Sequence, residues 1–163
     1  MRKIPIILLV VGSLILMSGI AMAGSSATQT VTYAVSAINE ISVSGNPAAL
    51  TVSTATAGSA PNSVSDATTT YAITTNGTGK KITGAINTAM PAGVTLTVNL
   101  TAPTGGTSAG ATSLGTSASD LVTGITTLNE SGKTITYSLS ATSAAGVVSS
   151  ASKTVTLTVA DGS

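Results

Sequence analysis

The sequence predicts an all-β protein, an immunoglobulin-like or jelly-roll β-sandwich of about seven to nine strands that follows a cleaved signal peptide. Three observations support this prediction. Apolar residues alternate with Thr or Ser over several short windows, which places them on one face of a pleated strand. Gly, Asn and Pro recur between these windows at strand-length intervals. Beyond residue 23, no window repeats apolar residues at helical spacing.

The first 23 residues are typical of a secretory signal peptide. Arg2 and Lys3 precede an almost wholly apolar stretch over residues 4–17, and Ala21 and Ala23 form an A-x-A cleavage site. An uncleaved membrane anchor is the alternative, but the apolar stretch is short for a span of about 20 residues. We therefore expect cleavage after Ala23 and a secreted or cell-surface protein. Its mature chain, residues 24–163, is expected to form a single domain with no membrane span.

Four windows show the alternation most clearly, and shorter apolar runs supply the other expected strands. The clearest windows are residues 31–37, 94–100, 135–141 and 155–159. The shorter runs are residues 41–43, 50–52, 71–75 and 80–86. Val and Thr dominate these runs, and their branched side chains favour strands.

Turn residues separate the expected strands. Asn76-Gly77-Thr78-Gly79 predicts a hairpin between residues 71–75 and 80–86, because Asn and Gly tolerate positive φ. Asn129-Glu130-Ser131-Gly132 predicts a turn that leads into a strand beginning at Lys133. Two stretches rich in Gly, Ser, Ala and Thr, residues 55–68 and 101–119, are expected to form loops.

Composition excludes several classes of function. The chain contains no His and no Cys, which removes the Ser-His-Asp triad, the Cys nucleophile and any disulfide framework. Four lysines and five acidic residues give the predicted mature chain a net charge of −1, so there is no basic footprint for nucleic acid. We expect no enzyme activity, no cofactor and no nucleic-acid partner.

The five carboxylates are the remaining candidates for chemistry. They lie far apart in the sequence and near turn residues, which favours solvated turn positions. An oxygen-ligand calcium site that uses Asp66, Asp120 or Asp161 stays open as an alternative. So does an extracellular hydrolase that acts through paired carboxylates. We assign no catalytic residue and no metal ligand.

The N-terminal strand is the candidate interaction site. Residues 28–37 follow the expected cleavage site closely, and their alternation places Val31, Tyr33, Val35 and Ala37 on one face. A strand of this kind suits addition to the sheet edge of a neighbouring copy. The alternative is pairing within its own sandwich. We take these four residues as the candidate subunit interface and residues 24–37 as the segment that is exchanged.

Three stretches of the chain look like parts of cysteine-free fimbrial subunits. They are Thr-Val-Thr-x-x-Val at residues 30–35, Tyr-Ala-Ile-Thr-Thr-Asn-Gly-Thr-Gly-Lys-Lys-Ile at 71–82 and Lys-Thr-Val-Thr-Leu-Thr-Val at 153–159. The chain resembles most the colonization-factor pilins of the alternate chaperone–usher class, and other secreted β-sandwich surface proteins look similar. The resemblance implies an immunoglobulin-like sandwich that is completed by the N-terminal strand of the next subunit. It also implies self-association through strand pairing and an assembly chaperone as partners.

Composition, pattern and resemblance together lead to one functional expectation. We expect a structural or adhesive surface protein, a pilus or filament subunit that assembles by β-strand addition. The alternative is a monomeric extracellular binding module, adhesin-like and stabilised by calcium.

Overall fold

The computed structural model describes residues 24–162, and the predicted signal peptide at residues 1–23 lies outside that range. The chain divides into two compact units after Ala34, and every described strand belongs to the second unit. The described residues form nine β-strands and one 3-10 turn. In chain order these are β1 (Asn39–Val43), β2 (Val64–Thr75), β3 (Lys80–Ile86), β4 (Val94–Leu100), β5 (Thr107–Ser108), β6 (Thr112–Ser113), β7 (Ser119–Ile125), β8 (Leu128–Ala141), the 3-10 turn (Ser143–Ala145) and β9 (Val155–Asp161).

The strands form two antiparallel sheets that share one core. One sheet has the order β1-β2-β8-β4-β6, and the other has the order β5-β7-β3-β9. Buried apolar residues from both sheets pack into a single hydrophobic cluster. The predicted all-β sandwich is therefore confirmed, and its nine strands lie at the upper end of the expected number.

Burial follows the period of two that the sequence shows. On β4, Leu96, Val98 and Leu100 are 8%, 0% and 0% exposed, while Thr95 and Asn99 on the opposite face are exposed. This is the pattern of a strand with one face on a core and one face in water. The largest fully buried side chains are Tyr71, Ile73, Ile82, Leu100, Leu121, Ile125, Ile135, Val98 and Val122.

Six of the strands stand in an order that matches part of an immunoglobulin sandwich, and β7 departs from that order. In that sandwich strands A, B, E and D form one sheet and strands C, F and G the other. Here β1-β2-β8-β4 stand in the order A-B-E-D, and β3-β9 stand as C-F, with β7 on the far side of β3. None of the described strands occupies the G position, which would lie beside β9.

The predicted hairpin at residues 76–79 is wrong. The strands on either side of it, β2 and β3, belong to different sheets, so this turn carries the chain from one sheet to the other. Its residues do supply a sharp turn, and Gly79 has a φ of 62°. The residues of a turn determine the local backbone angles, but they do not determine whether the strands before and after the turn pair with each other.

Two more local predictions are wrong. Residues 129–132 form no turn between strands, because β8 runs unbroken through them and its register with β2 shifts there. Gly132, at a φ of 68°, lies in this irregular stretch. Residues 50–52 form no strand, although Leu50 packs partly buried against the core.

The predicted loops are partly correct. β2 begins at Val64, inside the stretch expected to be a loop, and extends the predicted strand by seven residues at its start. Residues 101–118 are mostly irregular and contain only β5 and β6, of two residues each.

Candidate functional site

The four candidate interface residues lie outside both sheets. Residues 24–38 contain no strand or helix, so the strand predicted over residues 28–37 is not formed in the folded chain. Val31, Tyr33 and Val35 are 77%, 89% and 80% exposed, and Ala37 is exposed as well. The physical reason is that a strand is stable only with a partner. Residues 28–37 have the alternating apolar residues of a strand, but none of the described strands pairs with them.

Asn76 anchors the chain directly after this segment. Its side-chain Nδ2 donates to the carbonyl of Ser36 at 2.8 Å, and its Oδ1 accepts from the backbone N–H of Ile38, also at 2.8 Å. Its own backbone N–H donates to the carbonyl of Ile38 at 3.2 Å. These bonds continue the β1–β2 ladder by one step beyond the pair formed by Asn39 and Thr75. From the sequence, Asn76 was expected only to form a turn, and its hydrogen bonds to Ser36 and Ile38 were not predicted.

The inner face of β9 is incompletely covered. Val155, Leu157 and Val159 point toward the core but are only partly buried. Their partners on β3 include Ile82 opposite Val159 and Ile86 opposite Val155, and these are 0% and 3% exposed. Neighbouring strands of one sheet therefore differ in how well the same face is packed.

The outer edge of β9 is also unpaired within the described residues. The backbone ladder of β9 runs to β3 alone, and β9 is the last strand of its sheet. Across the sandwich the nearest strand of the other sheet is β1, which is the last strand of that sheet. One seam of the sandwich is therefore bounded by two edge strands, and half-buried Ile41 of β1 packs against the core. A seam of this kind can accept an extended strand, which would bond to an open edge and bury alternate side chains.

The four alternating windows of the sequence thus have four different environments. In residues 94–100, Val94 is half-buried and the other apolar residues are buried. Apolar residues of 135–141 are buried or half-buried, those of 155–159 are half-buried, and those of 31–37 are exposed. Their sequences give no reason for this difference, because each has the same period and similar residues. Two of the windows retain apolar surface that a strand partner could cover.

The carboxylates are dispersed, as expected from their spacing, but three of them form ion pairs. Lys80 pairs with Asp161, Lys81 pairs with Asp120 at 3.0 Å, and Lys133 pairs with Glu130 at 2.6 Å. Asp66 instead accepts hydrogen bonds from the backbone N–H and the hydroxyl of Thr68. The expectation of turn positions is wrong, because all five carboxylates lie on strands. The expectation of solvation fits Asp161 and Asp120, whose side chains stay 84% and 48% exposed in their ion pairs, and fits Glu130 less well, at 21%.

The three aspartates proposed as calcium ligands are not brought together. Asp120 lies on β7, Asp161 ends β9, and Asp66 lies on the other sheet. Across residues 24–162, no group of three or more His, Cys, Asp or Glu side chains is placed to hold a metal ion. The calcium-stabilised alternative gains no support from this arrangement.

Glu130 and Tyr71 form a small polar cluster beside the bulge of β8. Hydrogen bonds from Lys133 and Thr104 lower the pKa of Glu130 to about 2, and the Thr104 backbone N–H donates at 3.0 Å. Burial raises the pKa of Tyr71 to about 12, and the Glu130 carboxylate adds to this shift. The Tyr71 hydroxyl donates to the Thr101 carbonyl at 2.7 Å. Both contacts hold the start of the loop after β4, so the cluster has a structural explanation.

Comparison with known proteins adds no relative. The chain matches no family model, and no curated protein matches it significantly. Among residues 24–162, no helix has the length and apolar character needed to cross a membrane.

Proposed function

We propose that this protein is a secreted structural or adhesive surface protein, a filament subunit that assembles by β-strand addition. Residues 24–37 of one copy are the donated segment, and Val31, Tyr33, Val35 and Ala37 insert into the sandwich of a neighbouring copy. The role is structural rather than catalytic.

The observation that carries this proposal is the contrast between pattern and environment in the N-terminal segment. Its alternation is that of a strand with one buried face, yet Val31, Tyr33 and Val35 are 77–89% exposed. Large apolar side chains that are exposed next to one another are a common feature of protein–protein interaction sites. Fully burying each one contributes roughly 1.5–3 kcal/mol, which favours a partner strand.

Two further features suit assembly from identical copies. The predicted mature chain is nearly neutral, so electrostatic repulsion between copies is weak. The bonds from Asn76 to Ser36 and Ile38 fix the chain where the body begins. A donated segment held in this way connects two sandwiches through a short and defined junction.

The test compares assembly of the chain that begins at Gly24 with two matched double variants. The double substitution Tyr33→Thr and Val35→Thr removes apolar surface from the inserting face. The introduced Thr residues are β-branched and still favour a strand. Thr32→Ser with Ala34→Ser changes the opposite face and serves as the control. We expect filaments or oligomers from the parent and the control, and monomers from the first variant. Size exclusion and electron microscopy measure the outcome.

All three proteins should melt at the same temperature as monomers, since the substituted residues are exposed in the single copy. A deletion of residues 24–35 spares the Asn76 contacts and should behave like the Tyr33 and Val35 variant. The proposal is wrong if the parent and this deletion are both folded monomers under every condition. It is equally wrong if the Tyr33 and Val35 variant assembles as the parent does.

A further inference from the structure

We propose that the loop between β8 and β9, residues 142–154, is a membrane-contacting tip. Val147 and Val148 are the contact residues, and they insert into the interfacial layer of a lipid bilayer. This inference concerns a different surface from the proposed function and does not depend on it.

The tip loop presents large apolar side chains that the fold does not use. Val147 is fully exposed and Val148 is 45% exposed, and neither belongs to the core cluster. The chain reaches Val147 directly after the 3-10 turn, through Gly146 at a φ of 63°, a backbone conformation that favours Gly. The other exposed large apolar residues among those described lie in residues 31–43. The tip is therefore a second apolar surface, distant in sequence from the first.

Both ends of the tip loop are fixed to the connection between β3 and β4. At the start of the loop, the Thr142 N–H donates to the Gly93 carbonyl at 2.8 Å. At its end, the Thr154 N–H donates to Asn87 Oδ1 at 3.1 Å, and the Lys153 ammonium binds the same connection. The base of the loop is thus held on the sandwich, while the two Val side chains between its ends stay exposed.

The charge distribution around the tip suits a lipid surface. Residues 142–154 and 87–93 contain no acidic residue and one basic residue, Lys153, whose ammonium donates to Thr88 Oγ1 at 2.7 Å. Insertion therefore removes no carboxylate from water, a step that costs free energy. The two serines that follow the Val pair, residues 149–150, are exposed and can hydrogen-bond in the hydrated headgroup layer.

The size of the tip favours a lipid surface over a protein partner. A stable protein interface needs about 800 Å² from each partner, far more than two Val side chains supply. A bilayer has no fixed shape to match, so a small apolar tip that stands out from the surface can enter it. The backbone of a loop carries unpaired N–H and C=O groups, and these limit insertion to the interfacial layer where water remains.

The tip lies at the end of the sandwich opposite to the point where the N-terminal chain enters. β8 begins at Leu128, which pairs with Thr75, and Thr75 also pairs with Asn39 at the start of β1. β8 ends at Ala141, one residue before the tip loop, after 14 residues of strand. This length is roughly 40 Å at about 3.3 Å per residue. Substitutions in the tip therefore leave the contacts of the N-terminal segment unchanged, and the two proposals can fail separately.

A single introduced Trp tests the assignment, because the chain contains no native Trp. The background is the chain that begins at Gly24 with Tyr33→Thr and Val35→Thr, and size exclusion isolates the single copy. Val147→Trp places the reporter in the tip. Thr126→Trp is the matched control, because Thr126 is exposed in the connection between β7 and β8 at the opposite end. Each protein is titrated with phosphatidylcholine vesicles.

We expect the fluorescence emission of Val147→Trp to shift to shorter wavelength as lipid is added, and that of Thr126→Trp to stay constant. The absence of a shift at position 147 would overturn the proposal. Equal shifts at both positions would also overturn it, because they indicate adsorption without a preferred surface. A shift that depends on protein concentration without lipid would show that a second copy covers the tip, and the proposal would again be wrong.

Trp itself favours membrane interfaces, so co-sedimentation with the same vesicles provides a readout without it. Val147→Ser with Val148→Ser removes the apolar contact, and Ser149→Asn with Ser150→Asn changes polar residues of the same loop as a control. We expect the first pair to lower the partition coefficient by about tenfold or more and the control pair to leave it unchanged. Equal partitioning of the first pair and the background, with both shown to be folded by circular dichroism, would contradict the assignment.

Discussion

The half-exposed state of β9 makes a quantitative prediction about two chemically identical substitutions. Leu96 on β4 and Leu157 on β9 occupy equivalent positions in the same kind of alternating strand. Leu96 is 8% exposed, whereas Leu157 is only partly buried. Substitution of either by Ala removes the same atoms, so the difference in cost reports the difference in packing.

The expected magnitudes follow from burial. A Leu→Ala change in a packed core costs about 2–5 kcal/mol, from lost transfer free energy and from the cavity that remains. We expect Leu96→Ala to fall in that range. Leu157 has less area removed from water and an open side into which the structure can relax, so Leu157→Ala should cost about 1–2 kcal/mol in the single copy.

Urea unfolding of monomeric protein measures both values. The background carries Tyr33→Thr and Val35→Thr, which keeps the protein monomeric if the proposed function holds. Equal costs in the monomer would show that the inner face of β9 is already closed, and the reasoning about the seam would fail.

Three other predictions concern the stability of the single copy. Tyr71→Phe should lower the free energy of unfolding by about 1 kcal/mol, because it removes the hydrogen bond from the Tyr71 hydroxyl to the Thr101 carbonyl. Tyr137→Phe, whose hydroxyl makes no hydrogen bond within residues 24–162, should change it little in the same urea titration. Thr69→Val should stabilise the protein or leave it unchanged by differential scanning calorimetry, since the buried Thr69 hydroxyl finds no partner among the described residues. Glu130 has a folded-state pKa of about 2, below its ordinary 4.5, so its stabilising effect should be complete above pH 4.5 and be lost as the pH falls toward 2. Glu130→Gln should flatten this part of the profile of melting temperature against pH, and an unchanged profile would contradict the assignment.

The alternating pattern predicted the strand faces because side-chain direction in a strand depends only on the local pleat. The inward-facing residues of β4 and β8 were predicted in this way. Their burial confirms which face points toward the core, although some of them are only half-buried. Pairing is a different matter, since it depends on residues distant in sequence. For that reason Asn76-Gly77 predicted a turn correctly and a hairpin wrongly, and Gly132 suggested a turn where β8 has an irregular register.

The same limit explains what the sequence could and could not say about the candidate site. It selected Val31, Tyr33, Val35 and Ala37 by their alternation and their position near the predicted cleavage site. It could not show that residues 24–38 pair with none of the described strands, nor that the inner face of β9 is only half-buried. Both facts depend on which strands occupy neighbouring positions. The sequence of residues 155–159 shows the same alternation as that of a strand buried in the core.

In the proposed assembly, the donated segment and the sandwich that receives it are different surfaces of one chain, and this has a consequence for the form of the assembly. A contact between unlike surfaces is heterologous, so it does not close in a two-fold dimer and propagates unless a ring forms. Each added copy inserts its own N-terminal segment into one sandwich and presents its own sandwich to the next copy. Because Asn76 fixes the chain at Ser36 and Ile38, the junction between copies is short, and the relation between successive sandwiches should repeat. Apolar surface that is exposed in a single copy is then buried in every copy except those at the two ends. Long assemblies are therefore more favourable than short ones.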